Sequence, residues 1–158
     1  MNGPQVPTMI AHKFPLCCMA TKFSPFEPDL IACATSENFG VVGNSLTYIL
    51  RFNPMANQCQ VIKQFPSPNA TFDISWSEKV PDLLVTAGGD GNIRGFRMSQ
   101  DATLFQLPTH QNEINTIEFS HMVPQFVLTA GNDSTIKVTD IEASKAVVSM
   151  PAHRGVAY

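Results

Sequence analysis

Charge is scarce in this sequence. Asp, Glu, Lys and Arg make up 15% of its 158 residues, against about a quarter in typical domains, which suits a protein whose faces meet other protein surfaces. The formal balance is −3 and the sequence pI about 5.7, so the basic footprint of a nucleic-acid binder is missing. No run approaches the roughly 18 consecutive apolar residues of a membrane span. Cysteine is sparse and carries no C-x-x-C spacing: Cys17, Cys18, Cys33 and Cys59. Adjacent Cys17 and Cys18 would make a strained bridge, so all four read as reduced thiols of an intracellular protein. His12, His110, His121 and His153 lack metal-ligand spacing, and Met19, Met98, Met122 and Met150 are scattered, so no metal or cofactor is expected. Gly88-Gly89-Asp90-Gly91 joins two strand-like runs rather than a strand and a helix, so it is no phosphate loop. No nucleophile–base set can be assembled. The sequence does not read as an enzyme.

What is there is a repeat. Asp90-Gly91-Asn92-Ile93-Arg94 returns 43 residues later as Asp133-Ser134-Thr135-Ile136-Lys137. Trp76-Ser77 returns as Phe119-Ser120 and His110 as His153 at the same spacing. A period of about 40–45 residues with Asp-Gly turns and short β-rich runs marks WD-type propeller blades. The predicted fold is therefore all-β, a WD-repeat β-propeller with about three blades present. Such rings typically have about 4–8 blades, so the chain reads as an N-terminal piece of a longer propeller, or as the product of a truncated gene. Residues 1–15, rich in proline and small polar residues, read as a loose arm. The blades are expected at 16–66, 67–109 and 110–152, with a fourth starting at 153.

Alternation and β-branched content predict four strands in each blade. In the first they are Met19–Ser24, Leu30–Thr35, Leu46–Phe52 and Gln60–Phe65. In the second they are Phe72–Trp76, Leu83–Ala87, Asn92–Arg97 and Thr103–Leu107, and in the third Asn115–Phe119, Phe126–Ala130, Thr135–Thr139 and Ala146–Met150. WD-type blades often carry a hydrogen-bonded His, Ser/Thr, Asp and Trp, in which buried polar groups satisfy one another. Blade three offers His110, Thr129 and Asp133, with Thr139 in place of the Trp. Blade two offers Thr86, Asp90 and Phe96, with Ser67 in place of the His. The role expected of this set is structural. Phe23, Trp76 and Phe119 share one blade position and are expected to pack between blades.

Three stretches go beyond a generic blade. Lys22-Phe23-Ser24-Pro25-Phe26 is followed by Leu30-Ile31-Ala32-Cys33-Ala34-Thr35. Then come Asn38-Phe39-Gly40-Val41-Val42-Gly43-Asn44 and Phe72-Asp73-Ile74-Ser75-Trp76-Ser77-Glu78. In this order they closely resemble the WD-repeat receptor family for the type-2 peroxisomal targeting signal. That family has F-S-P-F…L-A-x-A-T, then an N-F-G-x-x-G-N connection, then F-D-V-x-W-S-E. His110-Gln111-Asn112-Glu113-Ile114 resembles its third-blade opening. The sequence departs from the family at Cys17-Cys18-Met19, where a Gly-aromatic pair is usual, and at Asn132-Asp133 and Thr139.

The resemblance implies a presumed seven-bladed cytosolic receptor. It would take cargo proteins through an N-terminal helical signal and deliver them to peroxisomes with an import co-receptor and docking proteins. An amphipathic helix needs apolar anchors and charges at the rim. The family's signal begins with a basic residue, so an acidic receptor face is expected, and Asp73 and Glu113, near the starts of inner strands, are the candidate carboxylates. The alternatives are a WD-repeat scaffold of another complex, or a relic without receptor activity.

Overall fold

Twelve strands form three four-stranded antiparallel sheets in a computed structural model that describes residues 11–152. The expected fourth-blade opening at His153 and most of the arm at 1–15 lie outside the described residues. Sheet one contains β1 (Cys17–Phe23), β2 (Leu30–Ser36), β3 (Ser45–Asn53) and β4 (Gln58–Ser67). Sheet two contains β5 (Thr71–Trp76), β6 (Leu83–Gly88), β7 (Asn92–Arg97) and β8 (Thr103–Pro108). Sheet three contains β9 (Ile114–Phe119), β10 (Phe126–Gly131), β11 (Thr135–Asp140) and β12 (Lys145–Pro151). In each sheet the strands pair in chain order. This is part of a β-propeller, as the 43-residue period predicts.

The sheets stack through two apolar layers. Between sheets one and two, Leu30, Ala32, Ala34, Ile49 and Phe65 meet Ile74, Trp76, Leu84 and Phe96, with Phe65 stacked on Phe96 at 4.8 Å between ring centroids. Between sheets two and three, Leu83, Val85, Ala87 and Ile93 meet Ile114, Ile117, Phe119 and Val127. Strands buried on both faces need near-continuous apolar sequence, which is why β6 is buried from Leu83 to Gly88.

Trp76 and Phe119 are buried in these layers, but Phe23 is 64% exposed. The expectation that it packs between blades is corrected for a geometric reason: among the described residues no sheet lies beyond β1 on its side, and Phe23 meets Phe52 edge-on there. On the same outer face Phe14, at the end of the supposed loose arm, packs on Tyr48 at 4.9 Å. Among the described residues no helix is long and apolar enough to cross a membrane.

Candidate ligand-recognition surface

The starts of the inner strands β5 and β9 share one end of the stack with the connections that join second to third strands. Those connections are 36–45, 88–92 and 131–135. In blade three, His110 Nδ1 lies 2.9 Å from Asp133 Oδ1 and Nε2 lies 2.8 Å from Thr129 Oγ1. A carboxylate only accepts, so Nδ1 carries the proton and Nε2 accepts from the Thr129 hydroxyl. Asp133 also accepts from the Thr135 hydroxyl at 2.6 Å and from the amides of Thr135 and Gln111 at 3.1 Å each. Burial opposes its ionisation, yet these donors hold Asp133 well below the usual carboxylate range. Burial pushes His110 down, against the opposing pull of Asp133. The ring is neutral, and the set clamps a turn.

Blade two does the same work with other residues. Ser67 is too short to reach the turn, and Asp90 instead takes both guanidinium nitrogens of Arg94, a bidentate pair on a side chain only 2% exposed. Asn69 Nδ2 adds a bond to Asp90 Oδ2 at 3.1 Å. Arg94 lowers the Asp90 carboxyl against the opposing cost of burial. Without an imidazole between them, the buried hydroxyls of Ser67 and Thr86 make no hydrogen bond among the described residues, and neither does Thr139, where a Trp would stand in blade three. Phe96 is buried against Phe65. Gly91 adopts φ +76°, and a Cβ there would lie 2.2 Å from the His110 carbonyl oxygen. The turn must therefore be glycine wherever the next blade approaches so closely.

Of the two candidate recognition carboxylates, Asp73 sits at the junction of blades two and three. Its Oδ2 accepts from Thr116 Oγ1 at 2.9 Å and from the Ile117 amide at 3.0 Å, and its Oδ1 accepts from the Ile74 amide. Ser75 Oγ accepts the Phe119 amide in the same row. Glu113 is less committed. Its Oε2 accepts from Asn132 Nδ2 at 3.1 Å, and its backbone carbonyl accepts from the Asn132 amide.

The connection at 36–45 adds an apolar element at the same end. Asn38, Phe39 and Gly40 take φ of 47°, 56° and 80°, a left-handed run that costs an aromatic residue energy and persists only when its surroundings enforce it. The Asn44 amide donates to Glu37 Oε2 at 2.8 Å, and Asn38 Nδ2 donates to the Val42 carbonyl at 3.2 Å. Gly40 rests on the Phe72 ring, where a Cβ would come within 2.6 Å. So held, the loop turns Phe39, Val41 and Val42 outward, at 78%, 86% and 67% exposure.

Residues 102–140 match the family described as WD domain, G-beta repeat. Over 86 residues the chain is 34% identical to "Peroxisome biogenesis protein 7" of Arabidopsis thaliana, a match covering 54% of the chain and 27% of that protein. It is 35% identical over 75 residues to "Peroxisomal targeting signal 2 receptor" of Dictyostelium discoideum, covering 48% and 23%. The human protein of that name is 29% identical over 100 residues, covering 63% and 30%. The fold is a partial β-propeller with a WD repeat at residues 102–140, and the matched stretches are similar to proteins named as type-2 signal receptors. The matched stretches span about a quarter to a third of these relatives' lengths.

Sequence reasoning missed Arg94 and the left-handed loop. The first had a signal: an Asp whose blade lacks the His needs another hydrogen-bond donor, and Arg94 stands four residues on. The second had a weaker one, since Asn-Phe-Gly names a turn without saying which side chains it exposes.

Proposed function

We propose that this chain is part of a cytosolic receptor that binds the N-terminal type-2 peroxisomal targeting signal of cargo proteins and shuttles them to the peroxisome. The observation that carries the proposal is the left-handed loop exposing Phe39, Val41 and Val42 at the end of the stack that also carries Glu113. Exposed apolar residues on a strained segment mark an interaction site. An apolar rim with a carboxylate nearby suits an amphipathic helix that begins with a cation. The names of these relatives support the same reading. An import co-receptor and docking proteins complete the cycle, and the chain's part in it is binding rather than catalysis.

Glu113 is the carboxylate proposed to meet the signal's leading cation. Asp73 is engaged between blades and contributes its field and the fixed spacing of blades two and three. In the complete receptor, Glu113→Arg is expected to weaken signal-peptide binding far more than it lowers stability. Changing the peptide's leading Arg to Glu should restore part of the loss, because coupling belongs to the pair. A partly desolvated pair carries a few kcal/mol, a rim pair under about 1 kcal/mol. Peptide titrations of the four combinations measure it, and coupling near zero removes Glu113 from the site.

A further inference from the structure

Two of the four thiols lie against each other. Cys18 Sγ and Cys33 Sγ are 3.2 Å apart, on neighbouring strands β1 and β2. The contact is built by an irregularity in pairing. Cys18 stands opposite Thr35, the register then slips, and Thr21 rather than Met19 or Ala20 stands opposite Cys33. The bulged residue is Met19. A bulge bends its strand and re-aims the side chains beside it, and here it brings Cys18 diagonally over Cys33, a pairing that neither cysteine's sequence position announces. The two differ sharply in access. Cys18 is exposed, whereas Cys33 is buried beside Tyr48 and Leu50, with Phe14 packed on the same cluster. Cys17 and Cys59 are partly buried and are also free thiols.

We propose that Cys18 and Cys33 form a reversible disulfide, with a low-molecular-weight disulfide as the oxidant. The S–S bond of about 2.05 Å requires the sulfurs to close by only about 1 Å, within reach of side-chain rotation at a bulge. The order of steps follows from access. The Cys18 thiolate attacks one sulfur of the small disulfide, whose S–S bond breaks, releasing one small thiol and leaving a mixed disulfide on Cys18. Cys33 then loses its proton to solvent or buffer, and its sulfur attacks Cys18 Sγ. The mixed disulfide breaks, the second small thiol leaves, and the two protein thiols have been oxidised by two electrons while one small disulfide has become two small thiols. Burial first, and then the Cys18 contact, push the Cys33 thiol well above its usual range, so Cys33 serves as the resolving partner and never as the first attacker.

The location gives the bond a consequence. Met19, the bulged residue, reaches toward Gly40 of the exposed loop with its terminal methyl, and Cys17 stands opposite Ser36 at the loop's root. A Cys18–Cys33 bond would fix the bulge directly beneath that loop.

The test uses the intact protein in glutathione buffers of graded oxidised-to-reduced ratio, quenched by alkylation and digested with trypsin. Cleavage after Lys13, Lys22 and Arg51 puts Cys18 in the peptide Phe14–Lys22 and Cys33 in Phe23–Arg51. The expected product is these two peptides joined, appearing as the buffer becomes oxidising and lost again with dithiothreitol. Cys17→Ser is expected to keep the link, and Cys33→Ser to stop at a mixed disulfide on Cys18. Overturning results are a link from Cys17 or Cys59 in place of Cys18–Cys33, two alkylated thiols across the whole range, or a link that forms as readily after denaturation in urea. Phe14–Lys22 carries Cys17 as well as Cys18, so fragment-ion sequencing of the joined peptides places the bond on one or the other, and the unsubstituted protein then decides between these outcomes if a variant does not fold.

Discussion

At the scale of single residues, the two blades with complete turns solve one problem in two ways. A buried carboxylate must be paired. Blade three pairs Asp133 with a neutral imidazole that also satisfies Thr129, whereas blade two pairs Asp90 with a buried guanidinium and leaves Thr86 unserved. The pH consequence belongs to blade three. His110 has its folded pKa depressed, first by burial, so its contribution to stability is present above the unfolded value near 6.5 and is lost as pH falls through the folded value. Asp133 is depressed as well, so its contribution is present above about 3.9 and lost on further acidification. Urea midpoints are therefore expected to drop between pH 7.5 and 5.5, and more steeply below 4. His110→Gln should flatten the first drop. Asp133→Ala should cost about 1–3 kcal/mol at neutral pH, because it strands buried donors. A variant as stable as the parent, with its pH profile unchanged, would show that the set carries little of the fold.

At the scale of elements, the strands were legible and the loop was not. The predicted runs coincide with the twelve strands to within about two residues at their ends, because alternation and turn residues are local signals. The pairing of His110, Thr129 and Asp133 was readable because the blade carries the His, Thr and Asp of the usual hydrogen-bonded set at the usual places. Arg94 was not. Its partner is set by a substitution 27 residues upstream at Ser67. Asp73 read as a candidate recognition carboxylate because its partners, Thr116 and Ile117, belong to the next blade and are not marked by local sequence. The loop at 36–45 was recognisable as unusual, but its left-handed run and outward side chains arise from Phe72 packing beneath Gly40. That loop supports a clean separation of folding from binding. Asn tolerates φ near 56° better than Phe does, so Phe39→Asn should leave stability unchanged or raise it by about 0.5–1 kcal/mol. If Phe39 anchors a ligand, the same change should weaken signal-peptide binding at least tenfold in the complete receptor. A variant that is less stable and binds normally would assign Phe39 to the fold.

At the scale of the whole molecule, internal equivalence says what each face is made for. Val85 of blade two is fully buried beneath blade three, and its counterpart 43 residues later, Leu128, is 44% exposed in this chain. Around Leu128 lie Met122, Phe126 and Val138, which line an apolar depression of about 460 Å³. Val147, Val148 and Met150 of β12 are exposed beside it. With charged residues at only 15% of the sequence, little on this face opposes contact with another apolar surface, and contiguous apolar patches of this kind drive association. The 158-residue chain on its own is therefore expected to self-associate, with sedimentation showing species larger than a monomer that grow with concentration. Leu128→Lys places a charge at the centre of the depression and should shift the distribution toward monomer without loss of β-sheet signal, since the residue is half-exposed and its backbone pairing is untouched. A chain that sediments as a monomer at all concentrations would mean that the open face of blade three is tolerated in water. Association unchanged by Leu128→Lys would instead place the contact elsewhere, with the opposite face around Phe23 and Phe52 the next to substitute.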